Sequence, residues 1–179
     1  EHAARMLADF PPGLVIDVGT GTGAIPLALA RKQPAFRYLG LDLSSEALAL
    51  AQENSTSPAS APPEGTTLAW KKGDLLEGIT ETAVLVTANL PYLTPSEIES
   101  AEPEVRHDPR LALEGGADGL DLIRRLVPQA ARLTANLLLE CGPAQADPVA
   151  ALAREAGFPR VTIQPDLTAR PRVVEARRS

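Results

Sequence analysis

A carboxamide, a proline and an aromatic ring fall within four residues at Asn89-Leu90-Pro91-Tyr92. That set suits one task, holding a planar –NH2 group. The Asn89 side-chain oxygen accepts one N–H, and a main-chain carbonyl beside Pro91, whose ring fixes φ, accepts the other. Tyr92 stacks on the flat face of the group that carries the nitrogen. The preceding apolar run, 83–88, reads as a buried strand, so the tetrapeptide sits at a strand's carboxyl end. Taken alone, it reads equally well as a strand ending in a proline turn.

A second cluster follows another apolar run. Asp17-Val18-Gly19-Thr20-Gly21-Thr22-Gly23-Ala24 joins a strand to a helix. Its glycines let the chain turn tightly and bring a ligand against the main chain, and the helix start offers free N–H groups. Gly19, Gly21 and Ala24 also satisfy the dinucleotide pattern, and Asp42, 21 residues beyond Gly21, stands where an acid holds a ribose diol. Asp17 separates two cofactor classes. A carboxylate beside the turn repels a pyrophosphate and attracts a cationic ligand such as S-adenosylmethionine, with its ammonium and sulfonium charges. Asp74, in Gly73-Asp74-Leu75-Leu76, adds an acceptor for an adenine amino group. Each aspartate taken singly reads as a helix cap or turn residue. A NAD-dependent oxidoreductase fits the glycine turn alone but leaves 89–92 without a role, and a non-catalytic module that keeps the fold is a third reading.

These residues need elements to place them. Strand patterns are expected at 14–18, 38–42, 68–71, 83–88, 136–141, 161–164 and 172–176. Helices are expected at 1–9, 24–33, 44–54, 120–133 and 148–156, with Pro128 kinking or dividing the fourth. Residues 55–66 read as a flexible surface loop, and 94–119 as a long polar segment with short helical pieces at most. Alternating strands and helices predict an α/β fold, a mostly parallel sheet with helices on both faces. In such sheets ligands sit beyond the carboxyl ends of the strands. Asp17, Asp42, Asp74 and Asn89 all fall there.

The composition sets bounds. The 179 residues, 44% hydrophobic, suit one globular domain and hold no membrane-length apolar run. Net charge is −6, so the chain lacks the basic footprint of a nucleic-acid binder. The single cysteine, Cys141, fits a reducing compartment and reads as a small apolar residue at a strand end. No metal site is expected.

Together, 17–23, Asp42, Asp74 and 89–92 resemble class I methyltransferases that modify amide or amino nitrogens. A second block, Glu102-Pro103-Glu104-Val105-Arg106-His107-Asp108-Pro109-Arg110-Leu111-Ala112-Leu113 running into Gly115-Gly116-Ala117-Asp118-Gly119-Leu120, resembles the signature of the peptide chain release factor glutamine N5-methyltransferases (the HemK/PrmC family). Leu137 to Gly142, and Asp166-Leu167 to Arg172-Val173-Val174, resemble that family's closing segments. The resemblance implies a Rossmann-like class I SAM-dependent methyltransferase, with a mostly parallel seven-stranded sheet and one catalytic domain over 1–179. It implies methyl transfer from S-adenosylmethionine, leaving S-adenosylhomocysteine, to the glutamine amide nitrogen in the Gly-Gly-Gln motif of class I peptide chain release factors. Asn89, Pro91 and Tyr92 are then catalytic, and Asn89, Leu90, Pro91 and Tyr92 hold the substrate. Asp17, Gly19, Thr20, Gly21, Thr22, Gly23, Asp42, Leu43, Asp74, Leu75 and Asn89 hold the cofactor.

Leu90 departs from the family's Asn-Pro-Pro-Tyr. The carbonyl survives that change, but some rigidity is lost. Asn-Leu-Pro-Tyr is also the form in ribosomal RNA adenine dimethyltransferases, so the alternative is an adenine-N6 methyltransferase acting on RNA or DNA. That reading demands a basic groove. The expected partner is a class I release factor, with no membrane, no direct nucleic acid, a monomeric state and a cytoplasmic location. His107 reads as a surface or structural residue, Arg106 and Arg110 as loop-pinning ion-pair partners, and Glu140 as a pocket-lining side chain outside the chemistry. The chain opens at Glu1 inside an apparent helix. The family's N-terminal helical domain is therefore expected to lie outside it.

Overall fold

Alternation along a single strand explains both layers of the core. Leu14, Ile16 and Val18 of β1 (Leu14–Val18) enter one apolar cluster, and Val15 enters another. Successive side chains point to opposite faces of a strand, so β1 is covered on both. The computed structural model describes residues 1–101 and 109–178. Glu102 to Asp108, and with them His107, Arg106 and the first part of the signature block, lie outside the described residues.

The other strands are β2 (Arg37–Asp42), β3 (Leu68–Lys72), β4 (Leu85–Asn89), β5 (Asn136–Glu140), β6 (Arg160–Pro165) and β7 (Pro171–Arg177). Their spatial order is β3-β2-β1-β4-β5-β7-β6, seven strands in one sheet. β3 to β5 pair in parallel, and β7 runs antiparallel to both β5 and β6. The order reverses between β1 and β4, and a crevice opens at such a switch point.

The helices are α1 (His2–Leu7), α2 (Ala24–Lys32), α3 (Ser45–Thr56), α4 (Pro95–Ser100), α5 (Asp121–Leu133) and α6 (Ala146–Glu155). On one face Ile123, Leu126 and Val127 of α5 and Val149 and Ala153 of α6 pack with Phe158. On the other, Met6 and Leu7 of α1 and Leu29 and Ala30 of α2 pack with Phe36 and Tyr38. Trp70 fills the space left by two absent side chains: a Cβ on Gly40 would fall 2.4 Å from its ring, and one on Gly23 2.5 Å. Trp70 thus packs against the main chain of β2 and the glycine turn.

Pro128 lies inside α5, which runs unbroken from Asp121 to Leu133, so of the two expected outcomes division does not occur. Its side chain is exposed. The loop expected from residue 55 begins two residues later, because α3 runs through Thr56. The polar segment holds what was expected: α4, closed by a capping box between Thr94 and Glu97, and a 3-10 turn at Arg110–Ala112. Among the described residues no helix is long and apolar enough to cross a membrane.

Candidate active site

The glycine turn leaves β1 at the switch point. Thr20 N–H donates to the Leu41 carbonyl at 2.9 Å, which ties the turn to β2. Gly21 N–H donates to Asp42 Oδ2 at 2.8 Å, and Ser44 N–H donates to Asp42 Oδ1 at 2.9 Å. Asp42 therefore braces the turn and the start of α3 while keeping lone pairs for a further donor. A Cβ built on Gly21 would meet nothing within 4 Å, so its outer side is open.

Asp17 lies beneath the turn and is 2% exposed. Thr87, its register partner on β4, donates its hydroxyl to Asp17 Oδ1 at 2.7 Å. Oδ2 is buried with no hydrogen-bond partner among the described residues. Burial pushes the carboxyl up to about 6, with the Asp42 charge adding to the rise and the Thr87 and Thr20 hydroxyls opposing it. Thr20 Oγ1 is itself buried without a partner of good geometry, so its pull is the weaker. A buried carboxylate with one vacant oxygen, next to a second acid, calls for a cation. That is the fit expected for the positive end of S-adenosylmethionine.

Asn89 ends β4 with its side chain exposed. Among the described residues its carboxamide makes no hydrogen bond. Leu90 turns inward, 4% exposed, onto the glycine turn. A Cβ on Gly19 would fall 2.7 Å from Leu90 Cδ2 and 3.8 Å from the Asn89 carbonyl oxygen. Gly19 has φ +68°, so this position needs glycine for both its conformation and its closeness. The turn after β1 and the tetrapeptide after β4 are thus in contact. Leu90 occupies the buried position next to the turn, and its carbonyl is retained as the sequence required.

Tyr92 is half-buried and held at both ends. Arg172 of β7 donates from Nη1 to its hydroxyl at 3.1 Å, and the guanidinium carbon lies 5.9 Å from the ring centre. Gln145 donates to its main-chain carbonyl at 2.8 Å. Neither contact was expected from sequence. Gln145 carries no signal in the sequence reading. Arg172 belongs to a segment read as a closing strand and as part of the resemblance, with no contact to Tyr92 implied.

The remaining expected residues sit nearby with varied surroundings. Asp74 follows β3 but is engaged by Arg125 of α5 at 2.7 Å, which uses part of its acceptor capacity. Leu75 is buried and adopts φ +53°, a strained value for a leucine. Leu43 is half exposed beyond β2, and Thr22 is exposed at the tip of the turn. Glu140 stands beside Asn89 in the β4–β5 register. Arg110 pairs with Glu114 at 2.5 Å, which pins its loop as expected. Cys141 is buried, and burial pushes its thiol up to about 11. A cavity of about 560 Å³ lies beside the C-terminal end of α5 and includes none of these residues.

Residues 15–107 match the profile of a family described as a methyltransferase domain. The chain belongs to that family. Membership makes S-adenosylmethionine the methyl donor, and the acids around the glycine turn fit it. The release factor glutamine methyltransferase of Deinococcus radiodurans is 45% identical over 168 residues, covering 92% of this chain and 58% of the relative. The protein of that name from Cereibacter sphaeroides is 40% identical over 171 residues, covering 93% and 60%. The chain thus spans about three-fifths of the length of these relatives. The crystal structure of a ribosomal protein L11 methylase from Lactobacillus delbrueckii subsp. bulgaricus superposes with TM-score 0.68 at 18% identity, covering 99% of this chain and 77% of that one. This establishes the Rossmann-like class I methyltransferase fold.

Proposed function

We propose that the chain transfers a methyl group from S-adenosylmethionine to the side-chain amide nitrogen of the glutamine in the Gly-Gly-Gln motif of class I peptide chain release factors. The observation that carries this reading is the contact between Gly19 and Leu90. It brings the cofactor turn against a tetrapeptide whose carboxamide is exposed and, among the described residues, unbonded. The names borne by the two relatives support glutamine as the acceptor. No comparable observation favours the adenine alternative.

The donor supplies an electrophilic methyl carbon on a positively charged sulfur. The protein's work is positioning and electrostatics, because an amide nitrogen is a poor nucleophile whose lone pair is delocalised into its carbonyl. Asn89 Oδ1 and the Leu90 carbonyl accept the two N–H groups and favour positive charge developing on the nitrogen. Pro91 fixes the turn, and Tyr92 covers the amide plane. Orientation at near-attack distance contributes roughly 7–11 kcal/mol in well-aligned systems. The proton leaves to water after transfer, so no general base is required. A class I release factor as partner, a monomeric enzyme and a cytoplasmic location belong to the same proposal.

Tritium transfer from labelled donor to a purified class I release factor tests it, with RNA and a Gln→Ala release factor as controls. Label on the Gly-Gly-Gln glutamine supports the reading. Label on RNA and none on the release factor overturns it.

A further inference from the structure

Gln145 closes the 3-10 turn Pro143–Gln145 after β5, and its carboxamide joins three chain segments. Its Oε1 accepts from Gly142 N–H at 2.9 Å. Its Nε2 donates to the Tyr92 carbonyl at 2.8 Å and to the Asp118 carbonyl at 3.1 Å. These segments approach closely. A Cβ on Gly119 would fall 2.1 Å from Gln145 Nε2 and 2.1 Å from the Tyr92 oxygen, and one on Gly115 would fall 2.6 Å from the Pro91 oxygen. The same two segments are joined directly: Leu93 N–H donates to the Leu113 carbonyl and Gly115 N–H to the Leu93 carbonyl, each at 2.9 Å.

We propose that Gln145 is a positioning residue for the methyl acceptor, acting through the main chain of Tyr92. A carbonyl held in place fixes the peptide plane it belongs to. Tyr92 is then fixed at its carbonyl by Gln145 and at its hydroxyl by Arg172, and Leu90, two residues upstream, has its side chain seated against Gly19. The short stretch between those anchors carries the Leu90 carbonyl, the second acceptor for the substrate –NH2. The inference rests on the reading of 89–92 as the acceptor site.

Only a neutral amide both accepts from Gly142 and donates twice. Gln145→Glu keeps the size and the acceptor but turns a carboxylate toward two carbonyl oxygens. Of the charged side chains nearby, Asp118 is paired with Arg124, and Arg172 is engaged by Tyr92 and Asp166. Arg172 also donates to the Cys141 carbonyl at 3.4 Å, so its donors are already shared among three acceptors. The two carbonyl oxygens facing the new carboxylate raise its pKa, and at lower pH it protonates and donates again.

The experiment measures kcat and KM for a Gly-Gly-Gln acceptor, and adenosylhomocysteine affinity, for the chain and for Gln145→Glu and Gln145→Leu, with circular dichroism confirming that each is folded. The inference expects the glutamate variant to lose about tenfold or more in kcat near pH 8 and to recover to within about threefold of the parent near pH 5.5. It expects the leucine variant to lose kcat at both pH values, and the cofactor affinity of each variant to match the parent's at the same pH. Parental kcat in both variants, or a glutamate loss that is equal at the two pH values, overturns the role of Gln145 and leaves the proposed reaction standing. A parent chain that transfers no methyl group to any glutamine overturns the reaction itself, and this inference with it.

Discussion

Asp17 makes a prediction that can be worked from its surroundings. Its carboxyl is buried, one oxygen has no partner among the described residues, and burial raises its pKa from 3.8 to about 6. A rise of that size corresponds to about 3 kcal/mol. The folded chain binds this proton more tightly than the unfolded chain does. Its contribution to stability is therefore constant below about pH 4, falls between about pH 4 and pH 6, and stays at the reduced level above. Asp17→Asn keeps an oxygen for the Thr87 hydroxyl but places an N–H2 where the vacant oxygen was, which costs about 1–3 kcal/mol at every pH. The useful quantity is the difference in unfolding free energy between parent and variant. Urea titrations across this range should show it shifting in the variant's favour by about 3 kcal/mol between pH 4 and pH 7. In thermal melts the same shift amounts to about 6–12 °C for a chain of this size. A cation near Asp17 removes the penalty, so donor affinity of the parent should strengthen as pH rises through about 6 and that of the variant should stay flat. A pH-independent stability difference would refute the account of Asp17.

Three further outcomes follow from the same geometry. Asn89→Ala should abolish methyl transfer in a radiolabel assay while calorimetry shows adenosylhomocysteine affinity nearly unchanged; normal turnover would remove Asn89 from the chemistry. Asp42→Ala removes the acceptor of both Gly21 N–H and Ser44 N–H, and should weaken donor binding by about 10–100-fold; unchanged affinity would place the donor elsewhere. Leu126→Ala, at a site with no exposure, should cost about 2–5 kcal/mol by urea unfolding, and a loss under about 1 kcal/mol would contradict the packing described for α5.

The strand pattern was legible because the buried strands are short apolar runs bounded by turn residues. The glycine turn and the acids at strand ends were legible because topology sends every such end to one edge of the sheet. What remained hidden depends on partners far away in the chain. Nothing local shows that Thr87 serves Asp17, that Arg125 takes hold of Asp74, or that Gln145 reaches back 53 residues to Tyr92. Pro128 left two outcomes open in the sequence, a kink or a break, and only the helix as packed shows that it does not break. The left-handed backbone of Leu75, against the preference of its own side chain, is likewise invisible in the sequence.

A crystal grown with adenosylhomocysteine and a Gly-Gly-Gln peptide tests the central claim most directly. The account predicts the nucleoside at the carboxyl ends of β1 and β2, and the glutamine nitrogen between Asn89 Oδ1 and the Leu90 carbonyl, facing the sulfur. A nucleoside bound elsewhere, or an Asn89 carboxamide turned away from the peptide, would contradict it.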